Sequence, residues 1–279
     1  MKDYIITKMG NKALLKWIIA FSVIISFTLT ILTRYYGRPY TIYEFIMSII
    51  ADRLNLSIAI TLPALIITVN QSKLSRWEMN PVLRMNSIYR WHNANLLGLL
   101  ITILIYVLSF IGVLVIIGFI SGFSFNTDWT KAYSYNNEVY FIDAFDKSGQ
   151  PFINLINSNT SPIICLLLAV IYLAFRCLFY GLVMFVINLL SNKAILGFLI
   201  ATTLNYFEVN FYNMTGIKNI GILPFENSIV TSISGIRPST LFSFGYWILI
   251  ICVLVFISYM NIDNVTEKFF LNTKHDNKK

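Results

Sequence analysis

Long apolar runs separated by short polar segments dominate this chain. Six runs stand out, at residues 17–33, 54–70, 97–120, 163–190, 194–211 and 241–260. Each approaches the ~20 residues (range ~17–25) that a helix needs to cross a bilayer. Two weaker patterns flank the first runs. In residues 1–16, Lys8, Lys12 and Lys16 recur every fourth position, with Ile5, Ile6, Met9 and Ala13 beside them. A helix there carries a basic stripe next to an apolar face and suits an anionic membrane surface; a loose basic leader that only enforces topology is the alternative. In residues 41–54, Ile42, Phe45, Ile46, Ile49 and Ile50 fall on one helical face, and Glu44, Ser48 and Asp52 fall elsewhere. This segment either lies flat on the outer surface or forms the outer turns of a long second helix. Pro63 within the second run predicts a kink whose freed carbonyl needs a neighbouring donor.

Composition agrees with this pattern. Of the 279 residues, 57% are hydrophobic and 12% charged, which leaves no soluble domain of ordinary size. The expected fold class is an all-α integral membrane protein. It has six transmembrane helices in a single domain over residues 1–279, both termini cytoplasmic, and an N-terminal interfacial helix. Sixteen residues precede the first run and Arg34-Tyr35-Tyr36 follows it, so the run reads as an uncleaved helix and not as a signal peptide.

Charge sets the expected orientation. Thirteen basic residues lie in residues 1–16, 71–96, at Lys193 and in the tail, while seven lie in the longer alternate loops. Basic loops stay cytoplasmic, so the net charge of +8 is mostly topology. Those basic residues are dispersed over separate short loops, and no nucleic-acid partner is expected. Membrane lipid is the expected surrounding. The Ile-, Asn- and Lys-rich usage points to an AT-rich bacterial genome, hence to a bacterial cell membrane, in which the six runs make a multi-pass protein.

One tight connection yields a site. Only Ser191-Asn192-Lys193 joins the fourth and fifth runs, so these form an antiparallel hairpin. Arg176 lies sixteen residues before Asn192 and Glu208 sixteen after it. At ~1.5 Å per residue both sit ~24 Å from the turn, at matching depth. Intramembrane charges are costly and usually pair or line a polar space. An Arg176–Glu208 contact, or a shared polar space, is therefore expected, against the alternative that both are hydrated at the outer interface.

Catalytic and metal chemistry is sparse. No P-loop motif occurs, and the only histidines are His92, placed in an inner loop, and His275 in the tail. Serine-type membrane catalysis lacks a His or Lys partner, and Glu208 is the one clear membrane acid for a carboxylate pair. Cys165, Cys177 and Cys252 lie within apolar runs and form neither a CxxC pair nor a disulfide framework. Gly118 and Gly122 form a GxxxG that permits close packing. No enzyme activity, cofactor or metal is expected.

Residues 71–96 form the sizeable cytoplasmic loop and hold Arg76, Trp77, Arg84, Tyr89, Arg90 and Trp91. Asn80 and Pro81 suit a helix start. Aromatic and Arg side chains are common interface anchors; they equally suit a headgroup belt. On the outer side, residues 121–160 are acidic on balance and rich in aromatics, and residues 215–240 alternate apolar patches with Gly and Pro.

Taken in order, these features resemble the permease subunit of a type-2 ABC exporter, of the small Gram-positive bacteriocin or peptide export and immunity type. The resemblance rests on the basic helix 5–16, the Pro63-containing second run, the stretch 82–91, the turn 191–193 and the loop 215–240. The stretch from Val82 to Trp91 is similar to the family's run of a hydrophobic residue, Arg, Ser and an aromatic residue before the third span. Ile88 stands where a basic residue is usual, and the outer loop 121–160 is longer than the usual connection. The resemblance implies an ABC ATPase subunit as partner, docked on Trp77, Arg84, Ser87, Tyr89, Arg90 and Trp91. It also implies pairing as a homodimer or with a related permease, and export of a peptide or amphipathic antimicrobial compound. The composition of loop 121–160 suggests that it caps the exit or selects cationic peptides; deletion of residues 126–155 is then expected to abolish export or resistance, and unchanged export would refute that role. The competing reading is a stand-alone immunity or sensor protein without an ATPase. A secondary transporter, expected to show repeats and several polar mid-span positions, fits less well.

Overall fold

The computed structural model describes residues 12–35, 41–51, 55–69, 87–127, 161–191, 193–215 and 240–262. These are almost entirely helical. In chain order they form α1 (Lys12–Tyr35), α2 (Ile42–Ala51), a π-helical stretch (Asn55–Thr61), α3 (Leu62–Thr68), α4 (Ile88–Ile120), α5 (Pro162–Ser191), α6 (Ala194–Thr215) and α7 (Thr240–Met260). Three are long and apolar enough to cross a membrane: α4, α5 and the Phe242–Met260 part of α7. Shorter apolar helical stretches run over Leu14–Thr30, Asn55–Thr68 and Ala194–Glu208.

Contacts order the helices. The α5 helix packs against α2, the π stretch, α3, α4, α6 and α7, and so occupies the centre. Gly181 lets it lie close to α4, since a Cβ there would sit 3.1 Å from Ile103 Cδ1 and 3.2 Å from Leu99 Cδ1. The α2 helix and the stretch 55–68 follow each other antiparallel to α4: Ile42 lies against Gly118, whereas Ile60 is bonded by Tyr106. The beginning of α4 meets the end of α7, where His92 Nε2 lies 3.0 Å from Ser258 Oγ. The α1 helix packs mainly on α4 and buries Ile18, Ser22, Ile25, Ser26, Leu29 and Thr30. These recur at intervals of three and four, the spacing of one helical face. Its opposite face exposes Trp17, Val23, Ile24 and Phe27, as a lipid-facing helix does.

Several sequence expectations change here. Lys12 and Lys16 belong to the same unbroken helix as the first apolar run, and residues 1–11 lie outside the described part. The third apolar helix starts at Ile88, nine residues before the run at 97, so His92 lies not in a loop but buried in α4. Its ring packs against Phe185 and Tyr259, and Tyr259 hydroxyl bonds the Asn93 side chain. The helix reaches back this far because Trp91, Ala94 and Asn95 are covered by the bundle, so these turns gain packing as well as backbone bonds.

Segment 41–54 is described as far as Ala51. The α2 helix buries Ile42, Phe45, Ile46, Ile49 and Ile50, and residues 52–54, which follow it, lie outside the described part. Glu44, which periodicity sets off that apolar face, is buried as well. It forms a capping box: Thr41 N–H donates to Glu44 Oε2 at 2.9 Å, and Glu44 N–H donates to Thr41 Oγ1 at 3.3 Å. Ile42 N–H donates to Ser124 carbonyl at 3.0 Å and fastens α2 to the far end of α4.

That end of α4 closes through the two glycines. Gly122 adopts φ +79°, the left-handed conformation that a Cβ disfavours. Gly122 N–H bonds Phe119 carbonyl and Phe123 N–H bonds Gly118 carbonyl, which together make a Schellman cap. Gly118 packs within the chain, where a Cβ would lie 3.0 Å from Ile42 Cγ1. The GxxxG pattern thus serves an internal contact and a helix stop.

Candidate functional site

A closed polar cluster lies inside the bundle, centred on Arg176 of α5, which has 0% exposure. The hairpin of α5 and α6 sets its first contact. Arg176 Nη1 donates to Glu208 Oε1 at 2.9 Å. Arg176 Nη2 donates to Asn205 Oδ1 at 2.7 Å, and Arg176 Nε donates to Thr61 Oγ1 at 3.4 Å. Each guanidinium nitrogen thereby has a partner, the geometry a planar fork favours.

Helical spacing supplies the neighbours. Tyr180 lies one turn after Arg176; its hydroxyl donates to Glu208 Oε2, and its ring centroid is 5.2 Å from the guanidinium carbon. Asn205 lies three residues before Glu208 on the same face of α6. Its Nδ2 donates to Ser57 carbonyl at 3.1 Å and Ser57 Oγ at 2.9 Å. Thr61 Oγ1 donates to Leu56 carbonyl at 2.6 Å. Next to Thr61, the Ile60 carbonyl accepts a hydrogen bond from the Tyr106 hydroxyl of α4 at 3.0 Å. The bonded network thus joins α5, α6 and the π-helical stretch, and α4 adds Tyr106 beside it.

Its depth follows from α4. Tyr106 is eighteen residues after Ile88 and fourteen before Ile120. At ~1.5 Å per residue it lies ~27 Å from one helix end and ~21 Å from the other. The cluster is therefore in the middle of the bundle, and Glu208 is only 6% exposed. A hydrated position at the bundle's end does not describe this pair.

The remaining site residues of the sequence reading are placed apart from it. Trp77 and Arg84 lie outside the described residues. Ser87 is the extended residue preceding α4, with φ −163° and ψ 126°, and makes no side-chain cap. Tyr89 and Arg90 are exposed at the start of α4. Trp91 is 1% exposed and belongs to the core, so its indole is not offered to a partner in this state. Sequence reasoning did not assign Tyr180, Ser57, Thr61 or Tyr106 to the site. The first is one turn from Arg176 and could have been found by spacing. The other three come from segments with no sequence proximity to the hairpin.

Among the described residues no group of three His, Cys, Asp or Glu side chains could hold a metal ion. Cys165 and Cys177 are buried free thiols, and Cys252 is exposed on α7. The chain matches no family model, and neither a curated protein nor a solved structure is significantly similar to it.

Proposed function

We propose that the chain is the transmembrane permease subunit of an ATP-driven exporter in a bacterial cell membrane, with six spans and both termini cytoplasmic. ATP is hydrolysed by separate subunits, and the cargo is a peptide or an amphipathic antimicrobial compound. The observation that carries this reading is the end of the bundle where α4 begins. There Tyr89 and Arg90 are exposed, next in sequence to the Arg- and Trp-bearing residues 71–86. The α5–α6 turn and the end of α7 lie at this same end, as the contacts of His92 with Phe185 and Ser258 require. An ATPase docked there would push on four helices at once. The antiparallel order of the helices supports the alternation of loops that the basic residues suggest. Two copies, or this chain with a related permease, would enclose the path between them, and loop 121–160 would face the exit.

Co-purification tests this directly. From a mild detergent extract of the native host, an ABC ATPase is expected to accompany the tagged chain and to be lost from Arg90→Glu or Arg84→Glu. Trp91→Ala is unsuited to the purpose, because emptying a core position would weaken the fold itself. A chain recovered alone, under conditions that keep other membrane complexes intact, would instead favour a stand-alone immunity or sensor protein.

A further inference from the structure

The second helical segment is not a continuous α-helix, and its defect is held by the polar cluster. Residues Asn55–Thr61 are π-helical and lead directly into α3, whose second residue is Pro63. A proline ring collides with the carbonyl four residues earlier in a regular α-helix, here that of Ala59. Widening the preceding turn relieves the collision and displaces backbone bonds. In an apolar interior a carbonyl without a donor is costly, so such a defect persists where side chains supply donors. Three carbonyls of this stretch receive them: Leu56 from Thr61, Ser57 from Asn205 and Ile60 from Tyr106. Thr61 and Asn205 are in turn both held by Arg176.

We propose that Asn55–Thr61 is a rotating joint, clamped in its π form by Asn205, Tyr106 and Arg176. Return of one π turn to α geometry takes up one residue of register. Residues on its two sides then turn against each other by about 100° with a shift of ~1.5 Å. The joint lies between α2, which is fastened to the end of α4 at Ser124, and α3, which leads toward residues 71–86. It is therefore placed to convert a change at one end of the bundle into rotation at the other. Its occupancy depends on what the clamp contributes to each of the two forms.

Ile58, in the joint, and Ile66, in α3, are 52% and 41% exposed, so spin labels at these positions are tolerated. With Cys252 replaced by Ser and the chain in lipid vesicles, both labels are expected to be accessible to dissolved oxygen. In Asn205→Leu/Tyr106→Phe made on the Pro63→Ala chain, which removes two clamp donors together with the ring that obstructs α geometry, one label is expected to lose that accessibility severalfold while the other keeps it. Pro63→Ala alone touches none of the clamp side chains and removes the reason for the π turn; it carries the same test where the combined variant does not fold. Retention of both accessibilities, or their joint loss, in the variant that folds would overturn the joint.

Discussion

Glu208→Leu is expected to be among the most damaging single substitutions in the described part of the chain. It leaves the Arg176 guanidinium buried at 0% exposure without its carboxylate. Removal of one partner from a buried ion pair costs about 3–5 kcal/mol. The two partners are not equivalent. A carboxyl that loses its cation can take up a proton and stay as a neutral hydrogen-bonding group, whereas a guanidinium stays charged in proteins. Arg176→Met should therefore be milder than Glu208→Leu, since Tyr180 still bonds the carboxyl. The double substitution Arg176→Met/Glu208→Leu removes both charges and should recover part of the loss, because apolar replacement of a whole pair is often tolerated. Thermal unfolding of the four proteins in one detergent, with their abundance in the membrane, reads this order. A double variant no more stable than Glu208→Leu, or an Arg176→Met variant that is worse, would contradict the account.

Gly197→Leu should prevent the α5–α6 hairpin from closing. A Cβ at this position would stand 2.7 Å from Met184 carbonyl oxygen and would also meet the Asn188 side chain. The side chain can swing away, but a backbone carbonyl in a helix cannot, so the helices must separate. Overpacking typically costs about 1–3 kcal/mol where side chains can adjust, and a backbone obstacle places this site at or beyond the upper end. Even Gly197→Ala should lower the melting temperature clearly. Gly112 and Gly245 serve as controls, because a Cβ there meets nothing within 4 Å. Alanine at those helical positions should gain about 0.5–1 kcal/mol from propensity alone. Equal melting temperatures for Gly197→Ala and Gly245→Ala would refute a close crossing. The two predictions are linked, since the hairpin that Gly197 permits is the one that brings Arg176 and Glu208 together.

How much of the site the sequence disclosed depends on how each contact is encoded. Arg176 and Glu208 are equidistant from a three-residue turn, and a hairpin has one geometry, so counting residues placed them at equal depth. Asn205 and Tyr180 share faces with them at intervals of three and four, so the same helical spacing reaches them. Ser57 and Thr61 are a different case. They lie 148 residues from Asn205 and 115 from Arg176 respectively, and no local pattern joins them. Trp91 shows the opposite limit: an aromatic residue near a basic loop has the same local sequence whether it anchors a partner or fills a core. Only the backward extension of α4 to Ile88 separates the two cases.

Glu44 marks the same boundary. The Thr41-x-x-Glu44 spacing is that of a capping box and is visible in the sequence, yet periodicity only set Glu44 off the apolar face and did not show it buried, because it weighs polarity and not neighbours. Packing of α2 against α4 and α5 covers the cap, and the reciprocal backbone bonds compensate part of the cost of burying it. By itself, then, the sequence determined the helical and apolar character of the chain, the positions of most helices, the hairpin and the depth of its two charges. Those depend on composition and on intervals along one chain segment. Tertiary structure alone decided the π turn before Pro63, its donors from α4 and α6, the burial of Trp91, His92 and Glu44, and the face of α4 on which Gly118 meets α2. Each of these depends on which distant helix lies alongside, a matter of packing between surfaces that are equally apolar in the sequence.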